Sequence, residues 1–356
     1  MSTVDRQPPR LSLRSPEDVI AIVPYLVGFG PSNSLVVIGL TGKAVGFAGR
    51  LDLPTDPAEL PDYRHAVEHL AGATARNATA CLLVAYGPAQ IVTPVMDLAR
   101  ETMPAAGLPV LEALRVTDGR YFSYVCEDPD CCPADGRPVP GQGSRVQAAA
   151  VFAGMATRPS RADLAASIAA HTGQRRLQLD HAAQKAAQRL RDEIDAASGG
   201  EADQTLPIVR RRGIAAVDHA IAQHRAGQAP SDDEAATLLI LLHNLAVRDH
   251  AMLRTEATDV DLWIDLTRRA SDDLVASTAT LLAYAAWLRG DGALANVALE
   301  RAEAADPDYT MAHLLHHALH AGIHPTLFHD WLIQAAATEP PSDRADQKSS
   351  DATGVA

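Results

Sequence analysis

Lysine is nearly missing from this chain. Of its 31 basic residues only Lys43, Lys185 and Lys348 are lysines, which leaves 28 arginines. With abundant alanine, that bias marks a high-GC coding sequence and speaks to ancestry alone. Positive charge is in deficit as well. A net charge of −13 withholds the basic surface that phosphate neutralisation needs, so no nucleic-acid partner is expected. No apolar run reaches the ~18 residues of a membrane helix, so no membrane partner is expected either. The opening "MSTVDRQPPRLSLRSPED" carries no apolar signal core, which points to the cytoplasm. Cysteine is scarce, with four in 356 residues. In a reducing compartment these are thiols or ligands sooner than disulfides.

Catalytic signatures are also lacking. There is no Gly-x-Ser-x-Gly elbow and no His-Glu-x-x-His, so neither a hydrolase nucleophile nor a zinc-protease helix announces itself. Gly28 and Gly30 look like a dinucleotide loop, but they follow a helix and precede a strand, the reverse of the order that loop requires. "LTGKA" lacks the earlier glycine, the Ser/Thr and the following helix of a phosphate loop. Both read as turns.

What is present is a change of pattern along the chain. Residues 15–29 open as a helix, with Ser15 as cap, Pro16 in the first turn, Glu17 and Asp18 beside the positive end, and Pro24 as kink or terminator. "SLVVIGL" and "AVGFAGRLDL" are strands joined by a tight turn, and "TACLLVAYG" is a buried strand. Residues 57–75 and 88–106 read as helices. "LPVLEALRVT" and "RYFSYVC" flank Asp118-Gly119, a hairpin signal. Strands and helices in this alternation predict an α/β fold, a mixed sheet with flanking helices, over residues 11–155. From 160 to 336 the chain reads as helix after helix. Ala295, Leu299 and Ala302, with Leu282, Ala283 and Ala286 upstream and Pro307 opening the next helix, have the spacing of one tetratricopeptide-like pair. One unit does not make a stacked array, so the expectation is an all-α, repeat-like domain. Residues 337–356 are polar and proline-containing, hence expected to be disordered.

Three clusters carry chemistry. Cys126, Cys131 and Cys132 fall inside seven residues, and Cys126 and Cys131 are spaced for a zinc knuckle around a turn-forming "EDPD". Zinc wants a fourth ligand, from Cys81 or a histidine. Four readings stay open: a structural zinc, inert packed thiols, a disulfide, or a reactive thiol. Glu127, Asp128 and Asp130 argue against the last, since carboxylates disfavour a thiolate. The second cluster is polar. Arg50 and Asp52 share one strand face, as do Arg120, Tyr124 and Cys126, with Asp118 in the adjoining turn. If the two hairpins lie together, Arg50, Asp52, Asp118, Arg120 and Tyr124 would form a pocket for an anion, which arginine clamps bidentately. The bland alternative is ion pairs at a sheet margin. The third is "HLLHHALHAGIHP", where His313, His316, His317 and His320 form one helical stripe, with i,i+4 pairs able to chelate a transition metal, opposite Met311, Leu314, Leu315, Ala318 and Leu319. Nearby sequence offers no carboxylate to orient such ligands, so a solvated face is expected.

Several strings together resemble a known family: "LRSPEDVIAIVPYLVGFGPSNSLVVIGL", "GRLDLP", "DGRYFSYVCEDPDCCP", "VRDHAM" and "LLAYAAWLRGDGALANVALERAEAADPDY". They are similar to an actinobacterial family catalogued as domain of unknown function 4192, over roughly residues 11 to 325. The resemblance implies no catalytic residue. Two functions follow as expectations: a non-catalytic interaction or scaffold protein with a protein partner on its helical part, and, as the alternative, a small-molecule enzyme or ligand sensor with a pocket in the α/β domain.

Overall fold

Helix α1 (Pro16–Leu26) begins where Ser15 accepts the backbone N–H of Asp18, with Pro16, Glu17 and Asp18 in its first turn. Those residues satisfy and complement the helix's free N–H groups. Pro24 lies inside α1, and the helix stops two residues later. The computed structural model describes residues 13–141, 143–199 and 202–338. The first twelve residues and 339–356, most of the expected tail, lie outside the described residues.

Six strands follow: β1 (Ser34–Thr41), β2 (Ala44–Asp52), β3 (Ala80–Tyr86), β4 (Val110–Thr117), β5 (Arg120–Ser123) and the short β6 (Arg137–Pro138). They form one mixed sheet in the order β2-β1-β3-β4-β5-β6, antiparallel throughout except between β3 and β4. A parallel pair needs a crossover. Helix α3 (Ala89–Ala105) supplies it, and α2 (Leu60–Ala75) links β2 to β3.

Strand alternation divides the core. Leu35, Val37, Leu83, Ala85 and Ala113 pack against Val67 and Leu70 of α2 and Val95, Met96 and Ala99 of α3. Val36, Ile38, Leu82, Val84 and Leu114 face the other way, onto Val19, Ile20 and Val23 of α1. The central strands are thus covered on both sides, which is why "LVVI" is apolar without a break. Helix α4 (Arg145–Phe152) adds to the α1 layer through Val146 and Ala150.

The rest is helical, as expected. The elements are α5 (Arg161–Ser167), α6 (Gly173–Ser198), α7 (Ala202–Arg225), α8 (Asp232–Leu241), α9 (Leu245–Arg254), α10 (Val260–Arg269), α11 (Val275–Leu288), α12 (Gly292–Ala305), α13 (Thr310–His320) and α14 (Pro325–Thr338). Every residue of α11 from Val275 to Trp287 is buried. A helix apolar on all sides belongs at the centre of its core. It folds back on α12, where Ala295, Leu299 and Ala302 are buried. Pro307 does not open the next helix. It sits in a turn, and α13 begins at Thr310.

Two seams join the sheet to the helices. The loop after α1 places Phe29 in the helical core and bridges to Arg158. The end of α2 meets the end of α13: His69 Nε2 donates to the His320 carbonyl at 3.1 Å, Arg76 Nε to that of Ala321 at 2.8 Å, and Asn77 Nδ2 to that of Gly322 at 2.8 Å. The last carbonyls of a helix have no partner within it. Here α2 and the two residues that follow it supply the donors.

Candidate functional site

Strand β2 is an edge strand, paired only with β1 among the described residues. Along its free side runs a cleft of about 800 Å³, walled by β2 and α2 on one side and by α12, α13 and the flanking turns of α11 and α14 on the other. That volume lies in the range of small-molecule sites. Exposed edges invite pairing with other chains, and the helical half shields this one.

Arginines mark the wall. Arg50, Arg161 and Arg289 all line the cleft. Arg50 stands over the Phe29 ring, 5.3 Å from its centroid, and its Nη2 pairs with Asp52. The Arg50 Nε is buried without a hydrogen-bond partner. Arg161 of α5 pairs with Glu300 of α12, and Arg289 with Asp291 at 3.1 Å. His69, His316, His320 and Asn296 add to the polar lining. Partial desolvation by the cleft wall holds the His320 imidazole below its usual range, with His316 and His69 adding to the effect, although the residue still opens onto solvent.

The structure brings together only half of the expected polar cluster. Arg50 and Asp52 share the cleft. Asp118, Arg120 and Tyr124 do not, because β1, β3 and β4 stand between β2 and β5. At ~4.8 Å per strand that is roughly 19 Å. Each of the three has a local task instead. Asp118, at φ +49°, sits in the β4–β5 turn and accepts from Thr117 Oγ1 at 3.2 Å. Arg120 holds the loop beyond, donating to the Gly136 carbonyl at 2.7 Å and pairing with Asp135 at 3.1 Å. Tyr124 turns toward α3, its hydroxyl 2.7 Å from Thr93 Oγ1. The two-residue period fails here because β5 ends at Ser123, whose Oγ accepts from Val125 and Cys126 and starts a turn.

The cysteines do converge. The Sγ atoms of Cys126, Cys131 and Cys132 lie within 4.8 Å of one another, close enough to reach one ion. Arg137 donates to the Cys131 and Asp130 carbonyls, so two arginines clamp the loop. Cys81 takes no part: it is buried on β3 among the residues facing α2 and α3, and burial pushes its thiol up to about 11. Among the described residues no fourth His, Cys, Asp or Glu joins the three. Cys126 is a readier thiolate than Cys132. Hydrogen bonding from Cys132, then from the Asp128 backbone, lowers it and outweighs the Asp128 charge. Burial, then its bonds to the other two thiols, pushes Cys132 up to about 12. The adjacent carboxylates therefore count for less than the sulfurs do.

The histidine stripe also differs from expectation. Leu314 is exposed rather than core-facing, whereas Met311, Leu315 and Ala318 are buried. His316 is half-buried and reaches Glu303 of α12, 2.7 Å away. That carboxylate is 13 residues upstream, and only the turn back from α12 to α13 brings it near.

A family model described as a domain of unknown function (DUF4192) matches residues 16–326. The chain belongs to that family. The matched span contains β2, the cleft and the cysteine loop alike. No curated protein and no solved structure matches the chain. No described helix is long and apolar enough to cross a membrane.

Proposed function

We propose that this member of the DUF4192 family binds a small organic anion in the cleft between the edge of β2 and the helical half, as a ligand sensor or enzyme. The observation that carries the reading is three arginines on the wall of one cleft of about 800 Å³. Guanidinium groups suit carboxylate and phosphate oxygens. Phe29 beneath Arg50 orients one of them. Thermal-shift screening with carboxylates and phosphate esters tests it. Arg50→Ala should weaken the best ligand by about 10–100-fold, the worth of a hydrogen bond to a charged group, while circular dichroism stays unchanged. A variant that binds as well as the native chain would remove Arg50 from the site.

The scaffold reading keeps one support. Leu327 and Trp331, one turn apart on α14, are exposed by 64% and 50%. A protein partner on this face of a repeat-like helical domain would cover them.

Zinc at Cys126, Cys131 and Cys132 belongs to the proposal as a structural ion, in a cytoplasm that keeps thiols reduced. It would fix the loop that Arg120 and Arg137 already brace. Iodoacetamide labelling at pH 8 checks this. Zinc should protect all three loop thiols, and a chelator should expose them. Cys81 should label slowly throughout, since its pKa near 11 leaves little thiolate at that pH. Loop thiols that label equally with and without zinc would count against the ion.

A further inference from the structure

The wall of the cleft holds an arrangement that the anion reading does not use. Glu303 Oε1 lies 2.7 Å from His316 Nδ1, so the carboxylate accepts the Nδ1 proton and leaves the His316 Nε2 lone pair free. That Nε2 is 3.1 Å from His320 Nε2. Asn296 Oδ1 stands 3.2 Å from the same His320 nitrogen. In the neutral state one proton, on His320 Nε2, therefore faces two acceptors at once. If His320 carries its proton on Nδ1 instead, three lone pairs converge with nothing between them.

A cation would resolve that convergence. Two imidazole nitrogens bound to one tetrahedral zinc at ~2.0–2.1 Å lie ~3.3 Å apart, close to the 3.1 Å seen here. The rings stand edge to face at 82°, so a turn of one imidazole aims both lone pairs at a common point. A carboxylate on the far nitrogen of a histidine ligand fixes the tautomer and raises its basicity. Glu303 has that place. All three donor residues line the cleft, so further coordination positions would open onto it.

We infer that His316, His320 and Asn296 form a site for a divalent borderline transition-metal ion such as zinc, with Glu303 as the positioning residue behind His316. The site is separate from the cysteine loop and stands whether or not an organic anion occupies the cleft. Borderline ions favour imidazole, so the two histidines carry the affinity; the Asn296 carbonyl oxygen is a weaker third donor, and a fourth position is left to water or ligand from the cleft.

The experiment is zinc titration against a chromogenic chelator, using untagged full-length chain in which Cys126, Cys131 and Cys132 are replaced by serine. One zinc per chain should remain. His316→Ala and His320→Ala should each weaken it at least ~10-fold and Glu303→Gln by ~10–100-fold, while His317→Ala, on the same helix but away from Glu303, binds unchanged; His313 is left in place because its Nδ1 lies 3.5 Å from Glu303 Oε1. Cobalt in the same protein should give a spectrum without the thiolate charge-transfer band. Should the triple-serine chain not fold, the wild-type background serves: His316→Ala must lower the metal count by one. A chain with the three loop cysteines replaced that folds and binds no zinc overturns the inference. So does loss of the ion in His317→Ala with His316→Ala unaffected. Because the probe is the metal alone, its failure leaves the Arg50 ligand test standing.

Discussion

Arg225→Ala is expected to destabilise the chain by about 3–5 kcal/mol, against less than about 1 kcal/mol for Arg50→Ala. Both arginines pair with an aspartate, and burial of the partner decides the difference. Arg225, at the end of α7, grips Asp259 with two parallel bonds: Nε to Oδ1 at 3.0 Å and Nη2 to Oδ2 at 2.7 Å. The Asp259 side chain has no exposed surface. Removing the guanidinium leaves a carboxylate inside the protein with the Glu256 N–H, 2.8 Å away, still bonded to it. One backbone donor does not offset a buried charge. Asp52, by contrast, is 77% exposed, so water screens its pair and takes over when Arg50 is gone. Urea denaturation at neutral pH measures both effects. The double variant Arg225→Ala/Asp259→Asn should be more stable than Arg225→Ala alone, because it removes the stranded charge. If the two unfold at the same urea concentration, packing of the arginine stem and not the buried carboxylate accounts for the loss. The small cost expected at position 50 is what makes Arg50→Ala a usable binding variant.

Much of the fold was legible because its signals are local. Ser15 and Pro16 mark a helix start within four residues, and Asp118-Gly119 marks a reversal within two. The unbroken "LVVI" of β1 speaks of a strand covered on both faces. Strand order is another matter. That β1 takes β3 on its second edge, so that β2 and β5 end up far apart, depends on pairings between segments some 40 residues distant, and no local pattern encodes it. The site divided along the same line. Arg50 and Asp52 were readable as neighbours because a strand repeats every two residues, whereas Arg120 could not be assigned to the cysteine loop before the loop's path was known. Arg161, Arg289 and Asn296 carried no signal at all, since nothing near them in sequence reports that a sheet edge lies opposite. Glu303 was missed for a similar reason. A helical hairpin brings together residues whose separation follows no fixed period.

Gly322→Ala should open the cleft. Gly322 follows α13 at φ +65°, and a Cβ there would lie 2.9 Å from both the Cβ and the carbonyl oxygen of Ala73 on α2. The left-handed backbone costs an L-residue ~1–2 kcal/mol, and the overlap with α2 adds ~1–3 kcal/mol because part of it is backbone and cannot rotate away. Gly107→Ala separates the two terms. Gly107 has φ +81° and nothing within 4 Å of its missing Cβ, so it carries the conformational cost without the collision. Both variants should lose stability in urea, Gly322→Ala by the larger amount. Only Gly322→Ala should also weaken ligand in the cleft, because the displaced turn carries the carbonyls that His69, Arg76 and Asn77 hold. Those three bonds fix α13 against α2, and α13 and α2 are opposite walls of the cleft. The seam between sheet and helices then sets the width of the site. If Gly322→Ala lowers stability as expected and leaves binding intact, the α2–α13 contact holds the two halves together without shaping the cleft, and the β2 wall alone positions the ligand.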